Sequence, residues 1–431
     1  MGPTNGINCG AVVAGKAVSG VGDLSADASN SETPPGTFAA FSVTSFRYQF
    51  GADLLVAWAV EMEVLILAWY VLVSTDSPVL LALLGALRFG GTLVSPFIGA
   101  YADRVSRKML LIAIRTTFAL LAAILMMLSL TEVLNPIIVF AIATISGLLR
   151  PADMMLRQSL VADNVPSGML TGAMSFSRAS VDSSRMVGAI AGAGLMAWLG
   201  MGQAYAIVVA FYLICVALTF KARDPAPRAS AVESAWAGIR EGLAYLGKAP
   251  DVSSILLLAF LVNVTLLSIT GGLLPLIARD VYGLDETGLG LMAAVFAGAA
   301  LVGSLVISVT NRYFRPQPVM LASALLWHAL MTVFAQVETA ALGIPMLALI
   351  GFVSSFTMVP MASSLLLAIP LPLRARIMGV RQLAVFGLPI GLLASGYLIE
   401  WSNVHWTLSA YGLLGFAVTA WLWWRWPTDQ R

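Results

Sequence analysis

The stretch Gly99-Ala100-Tyr101-Ala102-Asp103-Arg104-Val105-Ser106-Arg107-Lys108 puts four charges into a chain that is otherwise apolar on both sides. Before it runs Val79–Tyr101, and after it Met109–Leu130. Each flank reaches the roughly 20 mostly apolar residues that a membrane-crossing helix needs. Asn311-Arg312-Tyr313-Phe314-Arg315 repeats the pattern between Gly288–Val309 and Val319–Ala335. Reading outward from these two charged breaks divides the chain into twelve apolar runs. The first six are Phe50–Val73, Val79–Tyr101, Met109–Leu130, Pro136–Leu156, Met174–Leu199 and Gln203–Phe220. The second six are Ile255–Ala278, Gly288–Val309, Val319–Ala335, Leu342–Ile369, Val380–Ile399 and Trp406–Trp426. The two breaks follow the second run of each set, and Val165-Pro166 and Ile369-Pro370 precede the fifth run of each. Corresponding signals in corresponding places predict an all-α membrane protein built from two pseudo-symmetric six-helix bundles.

Composition agrees. Of 431 residues, 59% are apolar and only 11% charged, and the mean hydropathy is +0.88. Soluble domains average about 25% charged residues, so this chain cannot cover a water-facing surface of its size and takes lipid as its solvent. A net charge of +2 points to no nucleic-acid partner. Cys9 and Cys215 suggest no disulfide framework, and His328 and His405 stand apart from any metal-ligand cluster. No cofactor is expected.

Orientation follows from Lys and Arg in the short loops. With the N-terminus inside, the inward loops carry Arg104, Arg107 and Lys108, then Arg157, then Lys221, Arg223, Arg228, Arg240 and Lys248, then Arg312 and Arg315, then Arg374 and Arg376. The outward loops carry only Arg279. Both termini are therefore expected in the cytoplasm, in a bacterial-type inner membrane. Trp401, Trp406 and the cluster Trp421, Trp423, Trp424 and Trp426 suit two interfacial aromatic belts.

The expected organisation is a disordered cytoplasmic tail over 1–46, rich in Gly, Ser, Ala, Asp and Thr, followed by a six-helix bundle over 47–220. A linker over 221–250 comes next, then a second bundle over 251–426 and a short tail over 427–431. Within the linker, Trp236, Ile239, Leu243 and Leu246 recur at helical spacing opposite Arg240 and Glu241, which predicts an amphipathic helix.

The loop 99–108 resembles the signature loop of the major facilitator superfamily, G-x-x-x-D-R-x-G-R-[RK], with Ser106 in place of the second glycine. The resemblance covers most of Phe46–Trp426. Trp69-Tyr70-Val71-Leu72, Ser77-Pro78, Leu84-Gly85-Ala86-Leu87-Arg88-Phe89, the linker text Trp236–Leu246 and Arg374-Ala375-Arg376-Ile377-Met378-Gly379 are similar to the branch of enterobactin exporters and macrolide-efflux proteins. That resemblance implies proton-coupled efflux of a small amphipathic compound. It also implies gating roles for Asp103, Arg104 and Arg107, with Asn311, Arg312 and Arg315 as their counterparts in the second half. The helix-five pattern of the family's antiporters lacks its proline here, where Gly188-Ala189-Ile190-Ala191-Gly192-Ala193-Gly194 offers only a small face.

Charges inside a membrane are costly and mark function by default. The first run holds Asp53, Glu61 and Glu63, and Arg88 in the second run falls at similar depth. Glu61 and Glu63 point about 200° apart on a helix, so they cannot share a partner. Desolvation disfavours a carboxylate and a neighbouring guanidinium favours it. A carboxyl whose partner changes with conformation can therefore load and release a proton, and Glu61 or Glu63 is the candidate, against a permanent structural ion pair. Arg150, Asp153, Asp182 and Arg185 form a second candidate set, read as an interhelical network near the inner gate. Asn263, His328, Met358 and Met361 leave the second half poor in charge, suited to an apolar cavity.

The expected function is thus a monomeric secondary transporter moving a small-molecule substrate, with protons as coupling ion. Uptake or facilitated diffusion, and a non-transporting assembly factor or sensor, stand as alternatives. No enzyme constellation and no phosphate-binding G-x-x-x-x-G-K-[ST] loop is visible.

Overall fold

The computed structural model describes residues 38–92, 106–224, 235–310, 315–370 and 373–425. Six helices make up the first half: α1 Thr44–Thr75, α2 Pro78–Leu87, α3 Arg107–Leu130, α4 Pro136–Asn164, α5 Ser167–Leu199 and α6 Met201–Lys221. The linker helix α7 spans Ala235–Leu246. The second half follows with α8 Pro250–Val281, α9 Glu286–Thr310, α10 Pro316–Phe334, α11 Ala340–Ala368, a broken pair α12 Arg374–Val385 and α13 Gly387–Trp401, and α14 Val404–Arg425.

Local sequence sets the helix starts. Ser77 and Asn135 cap α2 and α4 by accepting hydrogen bonds from the backbone N–H of Leu80 and Ile138, with Pro78 and Pro136 at the first helical position. Ser106 caps α3 in the same way through Met109. α1 ends on Asp76 in the left-handed region (φ 52°), which Asp tolerates better than most residues. Nine of the described helices are long and apolar enough to cross a membrane by length and composition. α2 is described only over its ten apolar starting residues. α5 carries Arg178, Asp182 and Arg185, and α14 is rich in Trp.

Packing repeats between the halves where α3 lies along α6 and α10 along α14, which are the same pair of spans six apart. In the first half α1 lies along α5 and α6, and α3 lies along α6. In the second half α9 and α10 flank α11, and α10 lies along α14. The halves meet through α2 with α13 and through α5 with α9. Counted as spans, these contacts are 2 with 11 and 5 with 8, which are exchanged by a shift of six. The twelve-helix, two-bundle fold read from the hydropathy is the fold observed.

Two faces can be distinguished. The basic face holds the start of α1 and the side chains of Arg107, Lys108, Lys221, Arg223 and Arg315; the far face holds Asp76, Glu132 and Gly200. One apolar core fills the first half. The core of the second half runs on into the far-face ends of the first, taking in Leu65, Trp69 and Leu72 of α1, Leu81 of α2 and Ala189 and Ala193 of α5. The halves are therefore joined most intimately at the far face. Exposed Trp401 and Trp406 ring that face, and Trp421 and Trp424 lie towards the basic one.

Two expectations change here. Residues 38–46, assigned from composition to a disordered tail, form a short 3₁₀ turn (Ala39–Ser42) and the start of α1. Phe41 packs edge-on to Phe46, Phe50 and Phe176 at 5.0–5.2 Å, a cluster whose burial outweighs the polar residues before it. The amphipathic linker helix is present as α7, and it packs along α12 of the second bundle rather than standing apart from it as a linker.

Candidate functional site

α1 is about 48 Å long, and Glu61 lies about 26 Å from its start, near the middle of the bundle. Its carboxylate faces α4, where Arg150 Nη2 stands 3.5 Å from Glu61 Oε1. Both side chains keep 23–29% of their surface accessible, so the pair is reachable by solvent or solute. Gly188 of α5 lets that helix close over Glu61: a β-carbon there would lie 2.6 Å from the Glu61 β-carbon.

Glu63 turns the other way. Its Oε2 accepts a 2.5 Å hydrogen bond from the Tyr212 hydroxyl of α6. It also lines a cavity of about 50 Å³ between α1, α2 and α4, together with Arg88, Ser146 and Arg150. That volume holds a few waters, not a drug-sized molecule. Arg88 is brought in by a close crossing, since a β-carbon on Gly147 would sit 2.8 Å from the Arg88 α-carbon. Glu61, Glu63, Arg88 and Arg150 are close enough to feel one another's charge. Two carboxylates and two guanidiniums therefore gather at one level of the bundle, with a small cavity among them.

A second network lies nearer the basic face. Arg115 of α3 is wholly buried. Its Nη2 donates to Asp53 at 2.5 Å, its Nε to Asp153 at 3.0 Å and its Nη1 to the Thr219 hydroxyl at 2.7 Å. Gln49 donates to Asp53 at 2.8 Å. Four helices are thus tied by one guanidinium that donates to three fixed acceptors.

A family model described as "Major Facilitator Superfamily" matches residues 50–389 and again 256–431. The chain belongs to the Major Facilitator Superfamily. It is a transporter rather than an enzyme, as membership implies. Among solved structures, the nucleoside transporter NupG is similar at 16% identity and a TM-score of 0.67, with 89% of this chain and 100% of that one covered. The POT family transporter PepTSo is similar at 12% identity and 0.69, covering 89% and 97%. A D-xylose-proton symporter is similar at 14% and 0.67, covering 91% and 99%. No curated protein matches this chain in sequence.

Of the residues expected from the resemblance to gate, Arg107 is described: its Nη1 donates to Asp163 at 2.8 Å and to the Ser159 hydroxyl at 2.7 Å, clamping the start of α3 to the end of α4. Ser106, which replaces the usual glycine, donates to Asp224 at 2.7 Å and caps α3 besides. Arg315 is exposed before α10. Asp103, Arg104, Asn311 and Arg312 lie outside the described residues.

Several pairings differ from the sequence reading. Glu61 pairs with Arg150 rather than Arg88, because α4 crosses α1 at that level while Arg88 is held beside Gly147. Arg150 and Asp153 do not belong to one inner-gate network with Asp182 and Arg185. Three residues apart on α4, they serve the two separate sites, Arg150 the upper and Asp153 the lower. Asp182 takes Arg178 one turn before it at 3.0 Å, a largely exposed pair, and Arg185 is exposed. Asp53, expected with the cavity carboxylates, is sealed against Arg115. His328 bridges Thr265 Oγ1 at 3.0 Å and the Ala324 carbonyl at 2.7 Å in the second half, a packing role.

Two contributors were missed. Arg115 had a signal, a lone charge inside the third apolar run. Tyr212 had none, being one of several aromatics in an apolar helix.

Proposed function

We propose that the chain is a proton-coupled secondary transporter working by alternating access, with Glu61 as the coupling carboxylate and Glu63 as its hydrogen-bonded neighbour. The observation that carries this reading is the partly accessible Glu61–Arg150 pair beside the cavity of Glu63 and Arg88. Rocking one bundle against the other shifts α4 and α5 relative to α1. Separation of Glu61 from Arg150 removes the guanidinium that favours its charged form, and the carboxyl takes up a proton; their reunion expels it. Arg150 is then free to meet an anionic group while the pair is apart.

The gathering of Arg and Lys on one face supports a cytoplasmic basic face, with both termini inside. The substrate we favour is a small amphipathic compound, drug-like or siderophore-like, moved outward in exchange for protons, because the second half offers mainly apolar surface. Uptake is the second reading, and the fold shared with a D-xylose-proton symporter favours it. Purified protein in liposomes with an imposed pH gradient tests both: substrate movement against the proton flow means exchange, movement with it means symport. Movement indifferent to the gradient would reject proton coupling.

A further inference from the structure

Arg279 is the lone basic residue that the loop reading places on the outward side, and the fold gives it a task there. It lies in the last, π-helical turn of α8 (Ile277–Val281), at the far face of the second half. Its guanidinium reaches across to the first half. Nη2 meets Asp76 Oδ1 at 2.5 Å, and Nη1 donates to the Leu72 carbonyl at 3.0 Å. Asp280 holds the same guanidinium from its own helix through Nε at 2.5 Å and Nη2 at 3.1 Å, so the fork is aimed before it docks.

Leu72 and Asp76 are the C-terminal end of α1, where the helix dipole concentrates negative charge, and the Leu72 carbonyl that Arg279 meets also accepts the Asp76 backbone N–H at 2.9 Å. Arg279 thus meets a carboxylate, a carbonyl and a dipole end together, all from the opposite bundle. Directly beneath, the fully buried Leu392 of α13 fills the space between Gly85 of α2 and Gly272 of α8. A β-carbon on Gly85 would come within 3.0 Å of Leu392 Cδ1. The far face is therefore shut by a packed leucine with an ionic clasp above it.

We propose that Arg279, docking on Asp76 and the Leu72 carbonyl, is the latch that holds the transporter closed at its far face. Released, the two bundles separate there and the conformational equilibrium moves towards the state open on that side. The inference rests on the alternating-access reading, but its test does not depend on transport.

Spin labels at Val133→Cys and Glu338→Cys, both exposed on the far face of opposite halves, report the far-face distance in the full chain carrying Cys9→Ser. A second pair at Lys221→Cys and Arg315→Cys reports the basic face. Arg279→Ala is expected to raise the ratio of long to short far-face distances roughly three- to ten-fold, the size suited to a few charge-assisted contacts partly open to water. Asp76→Asn keeps a residue that tolerates the left-handed conformation, so it does not threaten folding, and it is expected to give a smaller rise in the same direction. Arg279→Lys, which keeps the charge but loses the fork, should fall between wild type and Arg279→Ala. An unchanged far-face distribution in Arg279→Ala overturns the latch, and if that variant does not fold, an unchanged distribution in Asp76→Asn does so. Far-face opening without shortening at the basic face supports the latch while counting against the rocking of rigid bundles.

Discussion

Glu61 and Arg150 stand 3.5 Å apart across α1 and α4, each still partly accessible, while two residues on Glu63 is fastened to Tyr212 at 2.5 Å. The two carboxylates share a helix and a depth but differ in freedom. One partner is a charged side chain on a helix that flanks the cavity; the other is a phenol on α6, which lies behind α1. A coupling group must change partner during the cycle, and Glu61 is the better placed to do so.

The pair predicts a split between two conservative variants. Glu61→Gln is expected to abolish substrate accumulation driven by a pH gradient while leaving exchange at equal pH on the two sides. Glu63→Gln is expected to lower the rate several-fold yet keep the dependence on the gradient. Flux into liposomes at several imposed gradients measures both. Gradient-driven accumulation retained in both variants would remove the carboxylates from the mechanism.

Tyr212→Phe removes one hydroxyl and leaves the ring against Phe118, whose centroid is 5.8 Å away. Glu63 then keeps its desolvation but loses a donor, a change worth about 1.5–3 kcal/mol for a hydrogen bond to a charged group. The expected outcome is a several-fold lower transport rate, in the direction of Glu63→Gln, with the dependence on the imposed pH gradient kept. A rate identical to wild type would mean that Tyr212 only packs.

Arg115 makes the opposite kind of prediction, one of stability. Arg115→Met leaves Asp53 and Asp153 buried and facing each other, and losing one partner of a buried ion pair costs about 3–5 kcal/mol. A clear fall in the thermal midpoint of the detergent-purified protein is expected. Adding Asp53→Asn and Asp153→Asn to the same chain should recover most of that loss, since a neutral buried set no longer carries unpaired charge. A triple variant no more stable than Arg115→Met would show that the guanidinium's packing, not its charge, ties the helices.

The sequence carried the helix count, the duplication and the importance of the first-run carboxylates, because apolar length and in-membrane charge are properties of single segments. Pairings were not legible. Arg150 and Asp153 are three residues apart and looked like one unit. Only the crossing of α1 over α4 shows that one turn of helix separates a cavity site from a sealed one. Arg88 could be placed at the depth of Glu61 by counting residues, yet the crossing at Gly147 decides which carboxylate it approaches. Arg279 stood out by sign and side, but its target, the end of α1, is 203 residues away in the chain.

Gly188 tests the closeness of α5 to α1 directly. A β-carbon at this position has no room beside Glu61, so Gly188→Ala must push the helices apart, at about 1–3 kcal/mol as for overpacked cores. Because the displacement falls on the Glu61 side chain itself, transport is expected to drop more than the thermal midpoint does. Gly194→Ala on the same helix, where a β-carbon meets nothing within 4 Å, is the matched control and should change neither. Equal effects of the two substitutions would mean that α5 contributes only its helical backbone.

The aromatic cluster at the basic face predicts where the N-terminal segment becomes dispensable. Phe46 is 1% exposed and Phe41 stacks on three other rings. Phe46→Ala is expected to cost about 3–5 kcal/mol, the range for a large buried side chain. Removal of residues 1–37 leaves Phe38, Phe41 and the turn Ala39–Ser42 in place, so the truncated chain should fold with an unchanged thermal midpoint and transport at the wild-type rate. Truncation that abolished activity while Glu61→Gln and Glu63→Gln left it intact would move the function from the helical bundle to the segment before it, in the manner of an assembly factor or sensor. The partly accessible pair at Glu61 and Arg150 argues for the opposite result, because a charged couple retained in the middle of a membrane bundle is costly unless the bundle uses it.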